Sequence, residues 1–442
     1  MGRGANVMKK ILIVLLSIFL LASCSAPLSP VKTPIEQTAA AYIADLKSQD
    51  TAALVGNYGY SSKMAQAVGE QLFAAIYADL AQWGSWQQTG NPEESTQGEF
   101  RTITYPVHFE KGALNVNITF DQSNRIAGLH YVLRQKEPSY QPGVQGIGVS
   151  FGSEPYVISG TLTLPAGGGP FPAVVLVQGS GPSNRDEAVG QNRPFYEIAS
   201  YLADQGIATL RYDKRTFTYG SKLNAETITP YDETIADAVF AFDFLKMQPD
   251  IDPGRLFILG HSLGGYLMPL IAKDTPDAAG YVMAAAPSSR MEDLMVMQYE
   301  YIFNLDGALT SDEKAQLSEI EMQRDAIRKL TPASMLMSND LLGAGKDYWL
   351  YLKDYDPVQA AQAIHTPLLF LQGERDYQVP VSQLEPYKAA LAGRDSVTFK
   401  TYPGINHLLY AGQGTPGPEE YNTPGHVSTR LLSDLADWIK GH

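Results

Sequence analysis

Residues 255–265 read "RLFILGHSLGG", and the fold turns on what the glycines do there. Leu256 to Leu259 is a short apolar run with no polar residue to face water, the pattern of a strand buried on both faces. It runs straight into Gly260-His261-Ser262-Leu263-Gly264 and then into a helix. Turning from strand to helix within one residue forces that residue into a strained backbone conformation, and small residues at 260 and 264 let neighbouring chain pass without a Cβ clash. Ser262 is thereby held out at the C-terminal end of the strand. Its hydroxyl also lies at a helix N-terminus, where unpaired N–H groups and the helix dipole favour negative charge. A tight turn with an innocent serine would carry the same letters, since Gly and Ser are common turn residues. Two further residues decide between the readings.

A serine hydroxyl is a poor nucleophile at neutral pH unless a histidine removes its proton, and that histidine needs a carboxylate to fix its tautomer. The segment "TPLLFLQGERDYQVP" (residues 366–380) is a buried strand ending in a polar loop, so Asp376 emerges at the same sheet edge as Ser262. "SVTFKTYPGINHLL" (residues 396–409) repeats the arrangement, with His407 a few residues past the last strand. There are rivals among seven histidines and 47 acids. Glu374 is the nearest to Asp376; Asp354 and Asp356 precede a helix, where Asp356 is more simply an N-cap. His426 introduces the C-terminal helix, while His261 and His365 read as packed or surface residues. Placement favours Asp376 and His407.

Around these segments the pattern is strands alternating with helices. "YVISGTLTLP", "PAVVLVQG", "GIATLRYD" and "YVMAAAP" are short apolar runs, with helices ending near Gln205 and Met247 between them. That pattern is an α/β domain on a mostly parallel sheet. Upstream, Tyr42, Ile43, Leu46, Leu72, Phe73 and Ile76 recur at helical spacing, and residues 100–133 change to the alternation of three antiparallel strands. Helices followed by a meander make a small α+β domain. It resembles the small domain of unknown function found ahead of secreted hydrolases, with a shape like nuclear transport factor 2. His108 and His130 lie on its strands without a third ligand, so they read as structural histidines rather than a metal site. The Pro/Gly-rich stretch 135–146 separates residues 35–134 from residues 147–442.

Taken together, Ile147 to His442 resembles the α/β-hydrolase family, and within it secreted bacterial members carrying "GSGPxxRDE" and "LRYDKRT" segments. The resemblance implies Ser262 as nucleophile, His407 as general base and then acid, and Asp376 as orienting carboxylate, in the family's chain order. Gln178-Gly179-Ser180-Gly181 resembles the family's His-Gly-x-Gly loop. It implies an oxyanion hole made by the backbone N–H groups of Ser180 and Leu263, with Gln178 in place of the commoner histidine. Neither the G-x-G-x-x-G spacing nor a Walker lysine is present, so a nucleotide loop is not the reading. No metal or organic cofactor is implied. Asn184-Arg185-Asp186 and Tyr212-Asp213-Lys214-Arg215 follow strand ends and read as salt-bridged scaffolding of the catalytic face rather than substrate contacts. An insertion at about 290–352, rich in Met, Leu and Tyr, is expected to cap the site.

The expected activity is hydrolysis of short acyl or aryl esters, a small-molecule substrate. A serine peptidase of prolyl oligopeptidase type shares fold and triad, although no propeller-blade repeat of 40 to 50 residues is visible. A tethered binding protein that keeps the scaffold without chemistry is the remaining alternative. With 442 residues and a formal net charge of −14, a nucleic-acid partner is disfavoured; oligomeric state is not legible. Arg3, Lys9 and Lys10 precede an apolar run, Ile11 to Ala22, too short for a comfortable permanent span, which reads as a secretion signal over residues 1–24 followed by a Pro/Ser/Thr linker at 25–34. It ends in "LASC", and this resembles the lipobox of bacterial lipoproteins. Cys24 is the one cysteine in the chain, so no internal disulfide is possible and lipidation is the explanation for an exported thiol. The expected location is the bacterial cell envelope, with a lipid anchor on Cys24.

Overall fold

The computed structural model describes residues 35–81, 83–97, 100–110, 112–133, 141–334 and 341–442. The signal segment, the 25–34 linker and Cys24 lie outside the described residues, as does much of the 135–146 linker. The chain divides into two compact units, with the boundary between Glu137 and Pro138.

In the first unit, the helix Ile35–Ser48 buries Ile35, Ala39, Tyr42, Ile43 and Leu46, spaced to form one stripe. The helix Glu70–Ala81 does the same with Phe73, Ile76 and Leu80. Both feed a core shared with β3 (Phe100–Phe109) and β4 (Gly112–Phe120), which alternate inward residues such as Ile103, Tyr105, Val107 and Val116, Ile118, Phe120. β5 (Ile126–Leu133) completes an antiparallel meander. Two strands absent from the sequence reading, β1 (Trp86–Thr89) and β2 (Glu93–Gln97), both pair with β3. Their sequences, WQQT and EESTQ, hold one apolar residue between them, Trp86, and carry no alternation to detect. His130 on β5 faces Asn117 on β4 at 3.1 Å and His108 is exposed.

The second unit is an eight-stranded sheet in the order β13-β12-β11-β10-β8-β9-β7-β6. The strands are β6 (Gln145–Ser153), β7 (Tyr156–Leu164), β8 (Phe171–Val177), β9 (Ala208–Tyr212), β10 (Ile251–His261), β11 (Gly280–Ala284), β12 (Leu368–Gly373) and β13 (Val397–Tyr402). β7 runs antiparallel to both neighbours and the remaining pairs are parallel. β6 is the one strand here that the sequence reading missed, and Gln145 and Gly146, read as linker, begin it. It is a Gly-rich, largely exposed edge strand with no apolar run.

The sheet is buried on both faces, which is why its central strands read as continuous apolar runs. Leu256 and Ile258 of β10 join Val175, Tyr281, Met283 and Phe370 in one core. Phe257 and Leu259 join Val174, Leu176, Val282 and Leu369 against Trp438 and Leu435 of the C-terminal helix Thr429–Gly441 in the other. At roughly 1.5–3 kcal/mol for each fully buried large apolar side chain, these two layers fix the sheet as a rigid platform. The chain passes from β8 to β9 on one side and then crosses back to β10 on the other side of β8, so the crevice beyond the C-terminal ends of β8 and β10 is a topological switch point, where open α/β sheets bind ligands.

The helix after Ser262 begins at Leu263–Tyr266 and resumes at Met268–Asp274. It packs so closely on β8 that a Cβ on Gly264 would stand 2.6 Å from the Val177 carbonyl oxygen and 2.8 Å from that of Gln178. Gly264→Ala is therefore expected to lower unfolding stability by about 1–3 kcal/mol, as overpacking does, read as a lower denaturation midpoint.

Candidate active site

Gly260, next to last in β10, lies against the returning chain. A Cβ there would collide with the backbone of Gly264 and Gly265. Between them Ser262 adopts φ 52° and ψ −113°, a region L-residues enter only under constraint. Its N–H donates to Ala284 O at 2.9 Å and its carbonyl accepts from Tyr266 N–H at 2.8 Å, so neighbours on both sides pin the turn. Ser262 is partly exposed.

His407 lies past β13 and is buried. Its Nδ1 is 2.7 Å from Asp376 Oδ2. The other oxygen, Asp376 Oδ1, accepts from the backbone N–H groups of Gln378 and Val379, each at 2.9 Å. Gln372 Nε2 donates to Oδ2 at 3.3 Å. A carboxylate so supplied with donors acts as the acceptor, which puts a ring proton on Nδ1 and leaves Nε2 as the nitrogen on the far side of the ring. The rivals are placed elsewhere. Glu374 is exposed and accepts from Thr401 Oγ1; Asp356 caps the helix Pro357–Ala361 through Val358 and Gln359 N–H. His365 is exposed, and His426 is exposed beside Glu197 at 3.3 Å.

The loop after β8 comes within contact of the elbow: a Cβ on Gly179 would lie 3.2 Å from Ser262 Cβ. Ser180 is exposed there, and among the described residues no backbone acceptor for its N–H is present. Leu263 is the first residue of its helix, so its N–H has no intrahelical partner. Gln178, the departure from the family's histidine, is buried and donates from Nε2 to the Tyr212 and Asn184 carbonyls. It ties the loop to the end of β9.

The sequence reading missed the role of His261 and Glu187. His261 occupies the last position of β10, on the same face as Phe257 and Leu259 by strand alternation. Its Nδ1 is 3.0 Å from Glu187 Oε1 and its Nε2 is 2.8 Å from His407 O. Glu187, at φ 50°, also accepts from Gly179 N–H at 2.5 Å. Both partners of the imidazole are acceptors, so a doubly protonated ring beside a carboxylate satisfies them together. Burial alone would push the His261 pKa down, but Glu187 opposes it and the net shift is upward. One ring thus links Glu187, which holds the loop after β8, to the backbone of His407. The one trace in the sequence is a histidine two residues after the apolar run Leu256–Leu259, and nothing in its segment points to Glu187.

The charged segments behind the loop form the scaffold expected of them. Arg185 pairs with Asp213, Arg211 and Arg193 with Asp186, Lys214 with Glu233, and Arg215 with Asp237. Burial raises the Asp237 carboxyl to about 6 against the pull of Arg215, and raises Asp186 against Arg211 and Arg193. Between β11 and β12 stand the helices Met291–Phe303, Ser311–Lys329 and Lys346–Leu352. The first touches the acid loop: Tyr301 stacks on Tyr377 with centroids 5.4 Å apart, and Gln298 Nε2 donates to Gln378 O at 2.9 Å.

A switch-point elbow serine, and a carboxylate-held histidine whose backbone the elbow's own His261 reaches, are the arrangement of an α/β-hydrolase. A family model described as serine aminopeptidase, S33, matches residues 191–412, and the chain belongs to that family. A second model, for a protein family of unknown function, DUF3887, matches residues 39–129. Among curated proteins, esterase EstD of Thermotoga maritima is 33% identical over 383 residues, covering 86% of this chain and 89% of that protein. The human acylamino-acid-releasing enzyme is 22% identical over 74% of this chain, which spans 41% of that enzyme. Among solved structures, the esterase domain of a Rhodothermus marinus protein is 18% identical with a TM-score of 0.40, covering 67% of this chain and 98% of that one.

A histidine whose pKa is higher folded than unfolded takes up a proton on folding. Its stabilisation is complete below its ordinary value of 6.5 and is lost as pH rises through the raised value. Glu187→Gln keeps an acceptor for Gly179 and His261 but removes the charge. The melting temperature of the wild type should exceed that of the variant most at pH 6, with the gap narrowing by pH 9 in fluorimetric melts.

Proposed function

We propose that the chain is a serine hydrolase of carboxylic esters, acting on short acyl or aryl groups. The observation that carries the reading is the 2.7 Å bond between His407 Nδ1 and an Asp376 carboxylate already satisfied by two backbone N–H groups. The likeness to esterase EstD over most of both chains supports it. In this reading Ser262 Oγ attacks the acyl carbon while His407 Nε2 takes its proton. The carbonyl oxygen becomes an oxyanion received by the N–H groups of Ser180 and Leu263. Collapse expels the alcohol, which leaves with the proton from His407, and Ser262 retains the acyl group. Water then repeats the sequence, with His407 again base and then acid, releasing the carboxylic acid. Asp376 orients the ring and offsets its transient positive charge.

The helices between β11 and β12 would cap the acyl pocket, with apolar side chains of Met291–Phe303 and Lys346–Leu352 against the substrate. The family's aminopeptidase description and the acylamino-acid-releasing relatives keep an acyl-peptide substrate as the second reading, since amide and ester cleavage share this acyl-enzyme route. Ser262→Ala and Asp376→Asn should each reduce 4-nitrophenyl acetate turnover, by about 10⁴-fold or more. Hydrolysis surviving in Ser262→Ala would overturn the nucleophile assignment, and cleavage of acetyl-peptides in preference to an ester panel graded by chain length would favour the second reading.

The chain is further proposed to be exported and held at the bacterial envelope by lipid on Cys24, from the charged, apolar and "LASC" order of its first 24 residues. Metabolic labelling with a tagged fatty acid should mark the wild type and not Cys24→Ala. Equal labelling of the two would reject the anchor.

A further inference from the structure

Lys214 is buried to 1% exposure, an uncommon place for an ammonium group. It follows β9, and its Nζ makes two bonds of 2.7 Å, one to Glu233 Oε1 and one to the backbone carbonyl of Gly179. Pairing with Glu233 explains how the charge is tolerated. The bond to Gly179 has a separate consequence. The Gly179 carbonyl and the Ser180 N–H belong to one peptide unit, and in a trans peptide they point in opposite directions. A lysine fastened to the carbonyl therefore turns the Ser180 N–H away from itself, on the side where the loop meets Ser262.

The next peptide unit back is held as well. The N–H of Gly179 donates to Glu187 at 2.5 Å, so the residue before the oxyanion donor is gripped by a carboxylate at one end and an ammonium at the other. Gly179 has no side chain to fix its own backbone, and these two groups supply that restraint. A cation on the carbonyl oxygen also polarises the peptide, strengthening its N–H as a donor through hydrogen-bond cooperativity. Glu233 Oε2 accepts from Tyr348 Oη at 2.9 Å, which extends the chain of bonds into the helix Lys346–Leu352.

We infer that Lys214 is a positioning residue for the oxyanion hole, orienting and polarising the Gly179–Ser180 peptide so that its N–H stabilises the transition state more than bound substrate. The inference rests on the proposed role of Ser180. It requires that loss of Lys214 lower kcat and leave KM nearly unchanged, because a donor aimed at developing charge acts in the transition state.

Removing Lys214 alone would strand the Glu233 carboxylate, so the test compares the full-length double variant Lys214→Met/Glu233→Gln with Glu233→Gln. Active sites are counted by fluorophosphonate labelling carried to completion. Relative to Glu233→Gln, the double variant should lose about 10- to 100-fold in kcat for 4-nitrophenyl acetate, somewhat less than the loss of a whole oxyanion donor. KM should stay within about twofold. Affinity for an aryl trifluoromethyl ketone, whose adduct places an oxyanion in the hole, should fall by a similar factor. A double variant equal to Glu233→Gln in kcat and inhibitor affinity, or one altered in KM or melting temperature alone, overturns the inference. If the double variant does not fold, Lys214→Gln/Glu233→Gln decides against the same Glu233→Gln reference: the amide carries no charge and stops one bond short of the Gly179 carbonyl, so kcat must fall at constant KM, and an unchanged kcat overturns the inference. Retained activity in Ser262→Ala would instead remove the underlying triad, whereas an inactive Ser262→Ala beside an unaffected double variant removes only the role of Lys214.

Discussion

The backbone of Ser262, at φ 52°, is the constraint around which the catalytic unit is arranged. A non-glycine residue holds such a conformation only when its surroundings over-determine it. Three surroundings do so here. β10 is fixed by apolar layers on both faces, Gly260 and Gly264 let the returning helix come within backbone contact of β8 and of the turn itself, and Ala284 at the end of β11 accepts the Ser262 N–H. The consequence is geometric: the hydroxyl stands clear of the sheet while the adjoining N–H groups begin a helix with no acceptor of their own.

Histidine placement follows from the same platform. β12 and β13 are paired in parallel register from Leu368 opposite Val397 to Gly373 opposite Tyr402, so the loops carrying Asp376 and His407 leave the sheet side by side. Bonds from Glu374 N–H to Tyr402 O and from Arg375 N–H to Ile405 O, each at 3.0 Å, then lock one loop to the other before any side chain is involved. The short Asp376–His407 contact closes an arrangement that the backbone had already assembled. His261 joins this pair to the other half of the site, because one ring reaches both the Glu187 carboxylate on the β8 side and the His407 carbonyl on the β13 side.

Legibility in the sequence tracked the physics of each element. The central strands β8, β10, β11 and β12 and the elbow were readable because burial on both faces leaves uninterrupted apolar runs and because a strand-to-helix reversal needs glycine at fixed positions, while β7, β9 and β13 were readable from β-branched and aromatic residues between turn signals. Asp376 and His407 were readable from where those runs stopped. β1, β2 and β6 were not, since edge strands with polar or glycine-rich sequence are specified by pairing with a neighbour rather than by their own pattern. Glu187 and His261 were missed for a further reason: they lie 74 residues apart, and neither the composition nor the spacing of their own segments announces the pair. Lys214 was legible as scaffold, but its bond to one particular carbonyl is a fact of three dimensions.

The charges beneath the site bear on what it is built to do. Replacing buried ion pairs by apolar residues of similar volume is commonly neutral or favourable for stability, so Lys214 with Glu233, Arg215 with Asp237 and Arg211 with Asp186 are poorly explained as stabilising devices. Burial already works against the ionised forms of Asp186 and Asp237. What such pairs provide that leucines cannot is direction, because each ammonium or carboxylate fixes the dipole it touches. In this protein Glu187 and Lys214 hold opposite ends of Gly179, the residue that introduces the exposed Ser180 N–H. A donor held before substrate arrives does not have to reorganise when negative charge develops, and preorganisation of that kind is where electrostatic catalysis gains most of its effect. The stability forgone beneath β8 and β9 is thus matched to the peptide above them, whose orientation an apolar core could not set.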